Sequence, residues 1–309
     1  MKIVFMGTPV FAVPTLEILA KSGHEVGFVF TQPDKAKGRG KKIQFTAVKE
    51  KAVELNIPIV QPEKVKGNQE IFNLLNNYKP DLIVAVAYGQ ILPKDILKIP
   101  RLGCINIHGS LLPKYRGAAP IQRAIIDGEK KTGITLMEMA EGLDTGDMIA
   151  MAETEIEEKT FPQLHDELSL MGAKLLMDCL ENIEREIIKP VKQDEAKASY
   201  APMLFKKDGL IDFSKDPGLI ERLVRGLNPS PGTYTIYKGE ILKIFQVEVL
   251  NKENPEEIGT ITGISKQGIQ VSAGGGTLLI MEVQEPNKRR MTVEDFIKGH
   301  HVELFGKLG

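Results

Sequence analysis

The run DLIVAVAY, residues 81–88, constrains the fold of this chain more than any other stretch. Its apolar residues are consecutive rather than alternating. A strand of this composition must be covered on both faces, which is the situation of a central strand in a parallel sheet. The flanking sequence agrees. Residues 3–6 form a short apolar run ending at Gly7, a helical stripe with Phe11, Leu16 and Leu19 follows and closes at Gly23, and a second apolar run covers 26–30. A stripe with Phe45, Val48, Ala52 and Leu55, a short strand over 57–60, a helix over 69–78 and a strand over 102–107 continue the rhythm. Alternation of strand and helix predicts an α/β, doubly wound sheet. The first turn reads GTPVFA where a dinucleotide-binding fold carries GxGxxG, which argues against a pyrophosphate cradle and NAD chemistry.

The pattern persists to about residue 189. A helix over 118–127 is stopped by Gly128, and a strand over 134–139 has one face less buried. The T-x-x-Q of 160–163 is a capping box opening a long helix with Leu164, Leu168, Met171 and Leu175 on one side. KPVKQDEAKASYAP then has no apolar period and reads as a linker. Beyond it, a helix over 218–226 precedes short strands over 234–237, 240–249, 259–264, 268–271 and 277–283, separated by Gly-rich turns. Such strands predict a small β-barrel, and a last helix over 293–298 can plug or cap it. A chain of 309 residues accommodates this division: a Rossmann-like catalytic domain over 1–189, a linker over 190–206 and a smaller β-barrel domain over 207–309.

Net charge of −1 gives no bulk attraction to polyanions, so any nucleic-acid site must be local. TQPDKAKGRGKK, residues 31–42, is one such concentration, with five cations against one acid and three backbone breakers, and Lys288, Arg289 and Arg290 form a shorter cluster in the second domain. Cys104 and Cys179 fit neither a CxxC pair nor a disulfide framework, so reduced thiols and a cytoplasmic setting are expected. The N-terminal apolar run is interrupted by Gly7, Thr8 and Pro9, leaving no signal-peptide core, and no stretch approaches the ~20 apolar residues of a membrane span. No H-x-x-H, H-E-x-x-H or Cys/His cluster occurs, so no metal site is expected.

Residues 104–147 put polar side chains where a buried strand and its loops should be apolar. Asn106 and His108 alternate with Ile105 and Ile107, so an extended strand projects both from one face, about 7 Å apart. Asp144 follows in the Gly-rich GLDTGD. Acyl or formyl transfer to an amine needs a donor for the carbonyl oxygen as it becomes an oxyanion, and a base for the proton on nitrogen. The Asn106 amide suits the first task and the His108 imidazole the second. Asp144 can orient the imidazole, raise its basicity or hold a relaying water, and residue type alone does not choose.

NIHGSLLPKYRGAAPIQRAI followed by GITLMEMAEGLDTGDM resembles the signature of the folate-dependent formyltransferases. The likeness runs through FMGTPVFAVPTL, TQPDKAKGRGKK, VAYGQILP, SYAPML, RGLNPSPGTY and MTVEDFIKGH, and so covers essentially the whole length. It implies 10-formyltetrahydrofolate as donor, with Ser110, Leu111, Leu112 and Pro113 lining the folate site, and no metal. It implies an acceptor, the α-amino group of methionyl initiator tRNA, and a catalytic set of Asn106, His108 and Asp144. Arg39 would wedge against the unpaired end of the acceptor stem, with Lys41 and Lys42 on nearby phosphates. The second domain would be an OB-like barrel supporting the tRNA, with no membrane and no obligate protein partner.

Overall fold

A computed structural model describes residues 1–37, 42–250 and 256–309. In chain order the strands and helices are β1 (Lys2–Gly7), α1 (Val13–Ala20), β2 (Glu25–Phe30), β3 (Lys35–Lys37), β4 (Lys42–Gln44), α2 (Ala47–Glu54), β5 (Ile59–Val60) and α3 (Gln69–Tyr78). Next come β6 (Leu82–Val86), α4 (Lys94–Leu97), β7 (Cys104–His108), β8 (Arg116–Gly117), α5 (Pro120–Ile126), β9 (Lys131–Glu138), β10 (Met148–Glu155), α6 (Phe161–Glu184) and β11 (Tyr200–Ala201). The remainder is α7 (Pro217–Leu227), β12 (Thr233–Tyr237), β13 (Glu240–Leu250), β14 (Ile261–Ile264), β15 (Ile269–Ala273), β16 (Gly276–Gln284), β17 (Met291–Thr292) and α8 (Val293–Gly299). Two compact units result: 1–120, 131–155 and 165–201 form the first, and 121–130, 156–164 and 202–309 the second. Residues 190–201 thus belong to the first unit. Among the described residues no helix is long and apolar enough to cross a membrane.

The first unit is built on a seven-stranded sheet in the order β10-β9-β7-β6-β1-β2-β5. The strands from β5 to β7 are mutually parallel, while β9 and β10 add antiparallel at one side. β6 is the middle strand, and every residue of it is buried, as its unbroken apolar run requires. β9 is buried on both faces except at its ends, which differs from the half-covered strand the sequence suggests. One face of it is roofed by the loop after β7, since Leu111 reaches within 2.6 Å of where a side chain on Gly133 would begin. β10, an edge strand whose exposed and half-buried residues alternate over Met151–Glu155, was not anticipated from the sequence.

Thr160 opens α6 with half of the expected capping box: its backbone N–H donates to Gln163 Oε1 at 2.9 Å, and its hydroxyl donates to the same oxygen. The buried stripe of α6 runs through Leu164, Leu168, Leu176 and Leu180 rather than through Met171 and Leu175. Gly172 explains the difference. A Cβ there would lie 2.8 Å from Ile107 Cγ2, so the helix backbone sits directly on β7 and the i, i+4 row containing the glycine becomes the contact ridge.

The second unit contains a separate antiparallel sheet in the order β12-β13-β16-β15-β14, with β17 also on β16. Its core includes Phe213, Ile220, Val224, Ile244, Val271, Leu278, Ile280, Val293 and Phe296, so α7 and α8 each bury one face in it. The strands anticipated over 234–283 all appear, with bounds shifted by a few residues.

Candidate active site

β7 sorts its side chains as the alternation demands. Ile105 and Ile107 are buried, and Ile107 meets α6 at Gly172. On the other face stand Asn106, half-buried, and His108, only 5% exposed. Asn106 lies in register between Ala85 of β6 and Met137 of β9, and His108 opposite Thr135. The β9–β10 loop leaves beside the start of β7, where Met139 N–H donates to the Cys104 carbonyl, and folds back along the polar face to deliver Asp144 to His108.

His108 Nε2 is 2.9 Å from the Tyr115 carbonyl. A carbonyl only accepts, so Nε2 carries the proton and Nδ1 holds the lone pair of the neutral ring. Nδ1 faces Asp144 Oδ2 at 3.6 Å, beyond hydrogen-bond length. A proton arriving at Nδ1 therefore meets a carboxylate already in place. Asp144 Oδ2 itself accepts from the Gly117 N–H at 2.8 Å. Asn106 differs: among the described residues its carboxamide has no hydrogen-bond partner. The polar face thus offers one amide uncommitted to the fold and one imidazole fixed in tautomer.

Backbone strain accompanies this geometry. Tyr115 has φ of 61° and Asp144 of 51°, the left-handed region that costs a non-glycine residue about 1–3 kcal/mol. Gly117, with φ of 120°, must be glycine: a Cβ would lie 2.8 Å from the Ala201 carbonyl oxygen.

The loop after β7, SLLPKYRG, is buried or half-buried apart from Lys114. Ser110 is fully buried and its hydroxyl donates to the Lys114 carbonyl at 2.6 Å. Leu112 is buried as well, its N–H donating to Thr135 Oγ1, whose hydroxyl donates to the Ser110 carbonyl. Leu111 and Pro113 remain half-buried. Those hydrogen bonds fasten the loop onto β9, which is why its second leucine turns inward. Arg39 and Lys41 lie outside the described residues, and Lys42 is the first residue of β4, which pairs with β3. At the base of that hairpin, Asp34 is paired with Lys49, whose hydrogen bond holds the Asp34 carboxyl below the usual carboxylate range. Burial pushes the Cys104 thiol up to about 12, which removes it from nucleophilic chemistry near neutral pH. Among the described residues no cluster of three or more His, Cys, Asp or Glu side chains is arranged to hold a metal ion.

Two family models match the chain: "Formyl transferase" over residues 1–180, and "Formyl transferase, C-terminal domain" over 203–301. The chain belongs to the formyl transferase family. Its members similar to this chain include a protein of Clostridioides difficile (strain 630) named methionyl-tRNA formyltransferase, 51% identical over 310 residues and covering all of both chains. One of the same name from Clostridium novyi (strain NT) is 49% identical over 305 residues, 98% of each chain. Among solved structures, HypX from Aquifex aeolicus in complex with tetrahydrofolic acid matches with a TM-score of 0.63 at 18% identity. That match covers 97% of this chain and 47% of HypX, so the chain spans about half the length of that protein, and the likeness is one of fold.

Within this family member, several residues that position the site carry no mark in the sequence. Tyr115 and Gly117 act through backbone groups, which any residue type possesses. Gln193, which donates to the Asp144 and Gly146 carbonyls at 2.8 Å each, stands in the segment that reads as a linker. Only Arg116, a cation between two residues of the KYRG turn, had side-chain chemistry to notice.

Proposed function

We propose that this chain transfers the formyl group of 10-formyltetrahydrofolate to the α-amino group of methionyl initiator tRNA, giving formylmethionyl-tRNA for translation initiation. The acceptor follows from full-length relatives about half identical to it and named for methionyl-tRNA. The observation that carries the chemical reading is the pairing of an uncommitted Asn106 amide with a His108 ring whose one free lone pair points at Asp144.

In this reading the amine nitrogen attacks the formyl carbon, and Asn106 donates to the oxygen as negative charge develops on it. His108 accepts the proton lost by the amine at Nδ1, and Asp144 stabilises the imidazolium that forms. Collapse of the tetrahedral species breaks the bond from carbon to N10, which takes up a proton as tetrahydrofolate leaves. Of the four residues assigned to the folate site, Leu111 and Pro113 retain side-chain surface for the donor, and Ser110 and Leu112 shape the loop beneath. Arg39, Lys41 and Lys42 are assigned to the tRNA, as is the second unit, and the setting is the cytoplasm.

The second sheet is read as an OB-like barrel over about 207–309, following a catalytic domain over 1–189 and a connection over 190–206. Closure is supported by the C-terminus: Leu308 bridges Tyr237 at the end of β12 while Lys307 bridges Thr260 just before β14, so one short segment ties the two outer strands together.

Incubation with 10-formyltetrahydrofolate and methionyl initiator tRNA tests this directly, and absence of formylmethionine on the tRNA overturns it. His108→Ala is expected to lower turnover by ~10²-fold or more with tRNA binding retained, in line with general acid–base contributions. Unchanged turnover removes His108 from the mechanism.

A further inference from the structure

Arg116 is the largest of the fully buried side chains, at 1% exposure, and a buried guanidinium must find acceptors. Its terminal nitrogens donate to Glu195 Oε2 and Oε1 at 3.0 and 2.8 Å, a two-pronged pair, and its Nε donates to Gln193 Oε1 at 3.0 Å. A guanidinium has donors only, so it dictates which way the Gln193 amide turns. With the oxygen toward Arg116, the Gln193 NH₂ faces the β9–β10 loop and donates to the Asp144 and Gly146 carbonyls. A flipped amide would oppose NH₂ to guanidinium and oxygen to two carbonyls, so the orientation has no competitor.

The consequence concerns Asp144. Its side chain is held by the Gly117 N–H and its own carbonyl by Gln193, so both ends of the residue are fastened. Tyr115, Arg116 and Gly117 are consecutive: the first accepts from His108, the second orients Gln193 and the third donates to Asp144. The tripeptide is fixed in turn by the 190–201 segment. Tyr115 N–H donates to Ser199 Oγ at 3.0 Å, Arg116 N–H to the Ser199 carbonyl at 2.8 Å, and β8 pairs with β11.

We propose that Gln193, oriented by Arg116, is a positioning residue for formyl transfer: it sets the place of Asp144 relative to His108. This rests on the reading that Asn106, His108 and Asp144 carry the chemistry. A displacement near 1 Å between reacting groups can cost ~10²-fold in rate, and the His108–Asp144 separation is the quantity the Gln193 hydrogen bonds hold.

Gln193→Glu keeps shape and removes both donors. It is expected to lower kcat by ~10–100-fold while KM for the folate donor and for methionyl-tRNA stays within about 2-fold, because the loss lies in alignment rather than in binding. A residue acting through Asp144 has nothing left to lose once Asp144 is disabled. Adding Gln193→Glu to Asp144→Asn is therefore expected to change kcat by less than ~3-fold, whereas a merely structural role gives losses that multiply. Near-wild-type kcat in Gln193→Glu, or multiplying losses, overturns the proposal. Asp144→Asn with full turnover defeats the reading of the site instead, so the two failures are distinct. Should Gln193→Glu not fold, Glu195→Gln, whose side chain is 72% exposed, loosens Arg116 from its outer side. It is then expected to cost ~3–10-fold in kcat with the same non-additivity against Asp144→Asn, and near-wild-type kcat or multiplying losses overturn the proposal in that arm too.

Discussion

Two buried hydroxyls of the second unit and the groups around His108 in the first find their partners over different ranges. In the second, Thr233 donates to the Ile244 carbonyl at 2.7 Å and Ser272 to the Glu256 carbonyl at 2.9 Å, partners 11 and 16 residues away on neighbouring strands or turns. In the first, the groups around His108 and Asp144 are tied by bonds between Arg116 and Gln193, 77 residues apart, and between Gln193 and Asp144, 49 apart. Asn106 meanwhile is left with no partner among the described residues. Long-range fastening around an unpartnered amide is what the proposed chemistry requires, since a donor already bonded to protein cannot stabilise an oxyanion.

Separate substitutions can break that contrast. Phe296, 2% exposed and stacked on His300 with ring centroids 4.4 Å apart, belongs to the core of the second unit. Phe296→Ala is expected to cost about 3–5 kcal/mol in urea unfolding, the usual penalty for a large buried aromatic. A loss well under that would show the second core to be loosely packed.

Asn106→Ala is expected to behave in the reverse manner, with kcat lowered by ~10²–10³ through loss of an oxyanion donor. Its stability should remain within ~0.5 kcal/mol of wild type, because the amide makes no bond that folding depends on. Large destabilisation with modest loss of turnover would assign Asn106 to structure.

The smallest effect concerns Glu195, whose carboxyl the Arg116 hydrogen bond holds below the usual range. A lowered folded value means that its contribution is complete above the unfolded value of about 4.3 and fades as pH falls through the lower folded one. The Tm difference between wild type and Glu195→Gln should therefore be constant from about pH 5 to 7 and shrink below about pH 4. A difference that grows toward acid pH contradicts the ion pair.

Legibility in the sequence followed the range of the interactions. DLIVAVAY announced the middle strand because burial on both faces is written in composition, and the hairpins of the second unit were visible because turn and alternation are local signals. The candidate site was half visible. Asn106 and His108 break an apolar alternation, so a period of two was enough to put them on one face. The long helix was anticipated, as were Leu164 and Leu168 on its contact row, but the continuation of that row was not, since Gly172 adds no hydrophobicity and matters only because β7 comes within reach of it. Of the two leucines after β7 that the resemblance assigns to the folate site, Leu112 turns inward, because Thr135 pulls the loop onto β9.

By itself, the sequence determined that a parallel sheet would form, that the short strands after it would form a separate sheet, and that an amide and an imidazole would share one face of a strand. Each of these follows from periodicity and composition over a few residues. Only the tertiary structure decided which ring nitrogen of His108 keeps its proton and that Asp144 reaches the other. The same holds for Gln193, in a stretch resembling a linker, which grips the Asp144 loop. Those outcomes depend on backbone carbonyls, left-handed turns and a buried guanidinium brought together across tens of residues, and the identities of neighbouring residues carry no trace of such contacts.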